Sequence, residues 1–250
     1  AGSPREVAAA CRVVFTSLPG PPEVEAVVTG KEGLLEGARP GDIHVDLSTS
    51  AWDAVRRLHA REAAAGVRLV DAPVSGGAIG AAQGTLTVMA SGECAAFERV
   101  EPLLRAFGKN VFHLGESGNG TLTKLVNNAV FLCGGLLLQE SFALAAKAGL
   151  DPSRLLEVVQ ASSGAAYAGM AKLLLGRGFD NAFFQLALAE KDVGLALASA
   201  KGLDVPMPVI EAAHATYVRA LAMGLGPKLF TATLLAIEDA AGVEVPRLAS

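Results

Sequence analysis

Residues 115–148 read GESGNGTLTKLVNNAVFLCGGLLLQESFALAAKA. The segment opens on spaced glycines and then runs apolar, with helical period, to residue 148. Before it the chain has a different character. Residues 12–18 (RVVFTSL), 43–47 (IHVDL), 67–70 (VRLV), 85–91 (TLTVMAS) and 110–114 (NVFHL) read as strands. Residues 22–28, 51–65 and 94–107 between them read as helices. Strands alternating with helices predict a parallel sheet covered on both faces. After residue 118 the strand signals stop. Asp151 followed by Pro152 opens the next helix, as cap and first helical residue. Further helical patterns cover 167–175, 183–200, 207–223 and 231–240. The expected organisation is an α/β domain over 1–117 and an all-α domain over 118–250, joined by a long helix.

Composition narrows the function classes. The chain has 250 residues, 51% hydrophobic and 18% charged, which excludes a disordered protein. A net charge of −4 gives no electrostatic footprint for nucleic acid. Cys11, Cys94 and Cys133 are odd in number and far apart, so they form neither a disulfide framework nor a metal knuckle. A reducing cytoplasm is the expected compartment. His44, His59, His113 and His214 lack metal-ligand spacing, so no metal is expected. The most apolar run, 129–138, is shorter than the roughly 20 residues a membrane span needs.

An α/β layer joined to helices suggests a nucleotide-dependent enzyme. The dinucleotide fingerprint Gly-x-Gly-x-x-Gly is absent, and residues 115–120 carry the reverse order, Gly-x-x-Gly-x-Gly. The chain begins where the third helix of such a domain would start, at residues 3–10. The expectation is a Rossmann-type domain without its first βαβ unit.

Three motifs carry chemistry. Residues 71–77, Asp-Ala-Pro-Val-Ser-Gly-Gly, follow the strand at 67–70, beyond the carboxyl end where such sheets place ligands. Ser75 offers a hydroxyl, and Gly76 and Gly77 let backbone N–H groups approach an anion; a tight turn has the same composition. Lys124 and Asn128 are four apart and share a helix face. Leu122, Leu125, Val126, Val130 and Phe131 flank them, and an amine among apolar groups loses solvation, lowers its pKa and becomes a usable proton donor and acceptor. Asn128 can hydrogen-bond a substrate hydroxyl or the amine. A snorkelling surface lysine beside a capping Asn is the competing reading. Third, Phe184, Leu188, Lys191 and Asp192 fall on one side of the helix read at 183–200, against a solvated face with Phe183 and Phe184 in the core.

Together these motifs, with residues 15–19 (FTSLP) and 45–49 (VDLST), resemble the β-hydroxyacid dehydrogenase family over nearly the whole chain. The resemblance implies an N-terminally incomplete Rossmann-type domain followed by a long helix and an all-helical domain. It implies NAD or NADP as cofactor and a small carboxylate as substrate. Lys124 resembles the family's catalytic lysine and Asn128 its partner. Ser75, Gly76 and Gly77 match the loop that binds the substrate carboxylate. Leu18, Pro19 and Thr49 match positions lining the cofactor near the nicotinamide, and Lys191 a residue contacting it. Phe184 and Asp192 match side chains that close the site from the helical domain. Family members form dimers or tetramers through that domain. The chain departs from the family in lacking the first strand, the glycine-rich turn and the adenosine-ribose residue.

The implied reaction is hydride transfer between nicotinamide and a small β-hydroxyacid or semialdehyde carboxylate, with Lys124 as general acid and base. Imine reduction is disfavoured by Lys124, because relatives acting on imines lack it. A 6-phosphogluconate-type reaction is disfavoured by the lack of a basic cluster for phosphate. The non-enzyme alternative is a truncated homologue that binds a small carboxylate or assembles with an intact subunit.

Overall fold

The structure is a computed structural model that describes residues 1–247. Its backbone groups into two units. The first is Ala1–Asn127 with Ala198–Val205; the second is Asn128–Leu197 with the segment from Pro206 on.

The first unit opens with α1 (Pro4–Ala10), where Ser3 Oγ accepts the Glu6 N–H at 3.3 Å and Pro4 takes the first turn. There follow β1 (Val13–Thr16), α2 (Pro21–Thr29), α3 (Leu34–Gly37), β2 (Ile43–Asp46), α4 (Trp52–Ala64) and β3 (Arg68–Asp71). The strands β1, β2 and β3 pair in parallel in that order, with Phe15, Val45 and Val70 in register. Then come β4 (Val74–Ser75), α5 (Gly77–Gln83), β5 (Leu86–Ala90), α6 (Cys94–Leu104) and β6 (Gly108–His113).

The strands form two three-stranded sheets rather than one parallel sheet, a correction to the sequence expectation: β1-β2-β3 is all parallel and β4-β5-β6 is mixed. β5 pairs with β6 in parallel but with β4 antiparallel, and an antiparallel bridge from Asp71 to Ser91 joins the two sheets. The reason is reach. Only residues 76–85 separate β4 from β5, too few for the crossover of a dozen or more residues that parallel pairing needs.

Both faces are covered. Ile43, Val45, Val70 and Val88 pack with Phe97, Val100 and Leu104 of α6. On the other face Leu69 packs with Ala8, Val24, Val28, Leu34, Val55 and Leu58 from α1 to α4. Successive side chains of a strand point to opposite faces, so His44 and Asp46 lie opposite Ile43 and Val45.

The helix α7 (Asn119–Lys147) starts in the first unit and runs into the second. By length and composition it could cross a membrane, which the ten-residue apolar count overlooked; 61% of its most apolar window is buried in the protein. The second unit continues with α8 (Pro152–Gln160), a 3₁₀ turn (Ser163–Tyr167), α9 (Ala168–Leu175), α10 (Leu186–Gly202), α11 (Pro208–Ala222), a second 3₁₀ turn (Phe230–Ala232) and α12 (Thr233–Ala241). Asp151 caps α8 by accepting the Ser153 N–H at 2.8 Å. Leu132, Leu136, Phe142, Leu174, Leu186, Val193, Tyr217 and Phe230 form the core.

The helix expected over 183–200 begins later, at Leu186. Gln185 bridges Leu229, and the Phe184 carbonyl accepts the Phe230 N–H at 2.9 Å. Phe183 and Phe184 lie in a bent segment ahead of the helix, so Phe184 does not share a helix face with Lys191 and Asp192.

Candidate active site

The start of α7 is built around one buried carboxylate. Asp71, at the end of β3, is 1% exposed. Its Oδ1 accepts from Ser91 Oγ at 2.7 Å, Gly118 N at 2.9 Å and Ser117 Oγ at 3.3 Å, and its Oδ2 accepts from Thr121 N at 3.0 Å. Ser91 Oγ in turn accepts the Gly120 N–H at 2.9 Å. Three N–H groups that a helix start leaves without intrahelical partners are thereby satisfied, and the negative charge faces the positive end of the helix dipole. Burial pushes the Asp71 carboxyl above the usual range, while hydrogen bonds from Gly118, Ser91 and Thr121 pull it back. The approach leaves no room for a side chain at residue 120: a Cβ there would lie 2.2 Å from the Met89 carbonyl oxygen and 2.9 Å from that of Asp71.

Lys124 stands on α7 one turn after Gly120 and Thr121. It is 8% exposed, which removes the reading of a snorkelling surface lysine. The apolar flank expected around it is only partly there. Leu125 is buried, but Val126, Val130 and Phe131 are exposed. At about 100° per residue, Val126 and Val130 point roughly 200° and 240° away from Lys124.

The Ser75–Gly76–Gly77 turn joins β4 to α5. Ser75 pairs with Thr87 of β5 and is half-buried, and the two glycines are exposed. Gly76 has φ +128° and Gly77 φ +60°, conformations that L side chains rarely adopt. The backbone of this turn is therefore open to solvent and free of side chains at two successive positions.

Leu18 and Pro19 follow β1, and Thr49 follows β2, at the carboxyl end of the parallel strands. The loops are tied together, because the Leu18 N–H donates to Ser48 Oγ at 2.9 Å. These positions share the sheet edge where doubly wound folds take ligands.

In the second unit, Asn128 and Asp192 are 6% and 3% exposed. They meet directly, with Asn128 Nδ2 donating to Asp192 Oδ2 at 2.6 Å. Lys191 Nζ lies 3.1 Å from Asp192 Oδ1 and forms an ion pair with it. The Phe184 ring lies 5.7 Å from that of Phe230, which also meets Phe131 at 5.4 Å. Phe183, expected in the core, is 49% exposed. Leu18, Pro19, Thr49, Ser75, Gly76, Gly77 and Lys124 thus belong to the first unit, and Asn128, Phe184, Lys191 and Asp192 to the second.

Sequence reasoning missed the anchoring set. Asp71 stood in a quoted motif but drew no role, and Ser91 and Ser117 drew no notice. The available signal was an acidic residue at a strand's end followed by a helix start rich in glycine, where backbone N–H groups need an acceptor.

Comparison with known proteins completes the picture. Residues 1–115 match the family profile described as the NAD binding domain of 6-phosphogluconate dehydrogenase, and residues 118–237 that described as NAD-binding of NADP-dependent 3-hydroxyisobutyrate dehydrogenase. The chain is 37% identical over 244 residues to 2-(hydroxymethyl)glutarate dehydrogenase of Eubacterium barkeri, covering 96% of this chain and 81% of the relative. It is 37% identical to 3-hydroxyisobutyrate dehydrogenase of Pseudomonas aeruginosa, covering 79% of this chain and 69% of the relative. The Mycobacterium tuberculosis 3-hydroxyisobutyrate dehydrogenase structure with L-serine superposes with a TM-score of 0.83 at 29% identity, covering 95% of this chain and 83% of that one. The fold, the two family profiles and the relatives together show a dinucleotide-dependent oxidoreductase with a Rossmann-type unit and a helical unit. Within that class, the chain belongs to the β-hydroxyacid dehydrogenase family.

Proposed function

We propose that the chain transfers hydride between NAD or NADP and a small β-hydroxyacid or semialdehyde carboxylate, with Lys124 as general acid and base. The carrying observation is the buried lysine on α7, one turn beyond a helix start that Asp71 holds rigidly. A bound nicotinamide supplies the hydride chemistry. Leu18, Pro19 and Thr49 fit its ring and ribose as loop residues at the carboxyl edge of the parallel strands, and Lys191 fits as a further contact. In reduction, the Lys124 ammonium gives a proton to the carbonyl oxygen; in oxidation, the neutral amine takes the hydroxyl proton. Asn128, whose Nδ2 donates to Asp192, is the residue paired with Lys124 at the substrate hydroxyl. The N–H groups at residues 75–77 hold the carboxylate, and Phe184 and Asp192 line the substrate from the helical side.

The relatives support the substrate class. Those cited are named for 2-(hydroxymethyl)glutarate and 3-hydroxyisobutyrate, both carboxylates with a hydroxyl on the β carbon. We keep the functional boundary at 117/118, which the ends of the two family profiles support. A homodimer or homotetramer forms through the helical unit: Leu137, Leu144, Leu150 and Val158 are exposed, and Leu137, Leu144 and Leu150 line an apolar groove of about 570 Å³ with Phe142 and Tyr167. The three free cysteines fit a reducing compartment such as the cytoplasm. The test is Lys124→Ala, assayed on a panel of semialdehydes and β-hydroxyacids with each nucleotide. Turnover falls by about two to four orders of magnitude while the fold is kept; near-wild-type turnover refutes the assignment.

A further inference from the structure

The first unit contains a buried polar chain that the chemistry above does not use. Strand alternation puts His44 and Asp46 on the α4 side of β2, where an aliphatic side chain would pack most simply. Glu62 of α4 is 0% exposed, and His44, Asp46 and Ser48 are each under 5% exposed. Five hydrogen bonds connect them in line. Glu62 Oε1 meets His44 Nδ1 at 2.8 Å, and His44 Nε2 meets Thr16 Oγ1 at 2.8 Å. Thr16 Oγ1 donates to Asp46 Oδ1 at 2.8 Å, and the same oxygen accepts the Ser48 N–H at 3.1 Å. Ser48 Oγ accepts the Leu18 N–H at 2.9 Å.

The donors are set by chemistry. Asp46 can only accept from the Thr16 hydroxyl, so that hydroxyl must accept from His44 Nε2–H. A single proton then lies between His44 Nδ1 and Glu62 Oε1. Each member thereby limits where the next can sit. A buried ion pair of this kind gives little net stability, and apolar residues of similar size often match or exceed it. What it provides is orientation of Thr16 and, through Asp46 and Ser48, of the backbone at Leu18.

We propose that His44 and Glu62 are positioning residues for the Leu18–Pro19 loop, acting through Thr16, Asp46 and Ser48 to fix the Leu18 N–H. This rests on the reading of Leu18 and Pro19 as cofactor-lining residues. The pair touches no substrate and carries no proton to one.

The test uses the full chain with His44→Leu/Glu62→Leu, and Thr16→Val as the second variant should the double one not fold. Three quantities are read: the thermal melt, hydrogen exchange at the Leu18 amide, and fluorescence titration of NADH and NADPH. The double variant melts close to wild type, because both buried charges leave together. Its Leu18 amide exchanges about tenfold faster and its nucleotide affinity falls about tenfold, the worth of one lost hydrogen bond. Wild-type exchange at Leu18 overturns the proposal, whatever the melt does. A wild-type chain that binds neither nucleotide refutes the functional reading instead, and Leu18 exchange still decides whether the pair positions the loop.

Discussion

Asp71→Asn separates the charge of the α7 anchor from its shape. The carboxylate Oδ1 accepts from Ser91, Ser117 and Gly118, its Oδ2 accepts the Thr121 N–H, and the Thr121 side chain adds a further hydrogen bond. Asparagine keeps one acceptor oxygen and replaces the other by an NH₂ group. If the oxygen stays at the Oδ1 position, the amide nitrogen faces the Thr121 N–H, donor against donor. If the amide flips, the nitrogen faces the Gly118 N–H and two serine hydroxyls. Either way a buried backbone N–H loses its partner, which costs about 1–3 kcal/mol. Loss of the charge at the helix start adds about 0.3–1 kcal/mol. Relief of the burial that raises the Asp71 pKa works in the opposite direction. The net expectation is about 2 kcal/mol, and at roughly 2–4 °C per kcal/mol for a chain of this size the melt falls by about 4–8 °C. Lys124 follows Thr121 by three residues on the same helix, so turnover also falls, by about tenfold, since small misplacements of a reacting group are costly. Circular dichroism melts and steady-state turnover measure both effects. An Asp71→Asn chain that melts within about 1 °C of wild type with unchanged turnover would falsify the anchoring argument.

Gly120→Ala forces a methyl group against the Met89 carbonyl oxygen and costs about 1–3 kcal/mol, read as a lowered denaturation midpoint; a neutral change means that α7 does not approach β5 this closely. Burial alone would depress the His44 imidazolium, but the Glu62 and Asp46 carboxylates outweigh it and hold its pKa above 6.5. The stability from this pair is therefore full below the unfolded value of 6.5 and is lost as pH rises through the higher folded pKa. Urea midpoints across that range decline for wild type relative to His44→Leu/Glu62→Leu, and parallel curves contradict it. In the second unit, Glu238 accepts Arg177 Nη1 at 2.5 Å, Arg177 Nη2 at 3.0 Å and Val245 N at 2.7 Å. Glu238→Gln weakens charge-assisted bonds there and lowers stability by about 2–3 kcal/mol, with unchanged stability as the refuting result.

The turn at 75–77 and the lysine on α7 were legible because their chemistry is local. Consecutive glycines and a lysine four residues before an asparagine announce themselves in one dimension. The anchoring of α7 was not legible, because Asp71, Ser91 and Thr121 are distant in the chain and are brought together only by the tertiary fold. Phe184 shows the opposite failure. Its periodicity argued for a helix, and pairing of the chain with Leu229 and Phe230 overrode that preference, since a satisfied backbone outweighs a helix propensity of a few tenths of a kcal/mol, roughly.

By itself the sequence determined the alternation of strands and helices up to residue 117, the long helix after it, the all-helical remainder and the three motifs that place the chain in its family. Hydrophobic period and turn chemistry act over a few residues and can be read without neighbours. Only the tertiary structure decided that β5 pairs antiparallel with β4, that Asn128 meets Asp192, and that His44 meets Glu62. Each depends on burial and hydrogen-bond partners distant in the chain, and a polar residue's sequence neighbours do not say whether it faces water or the one group that can satisfy it.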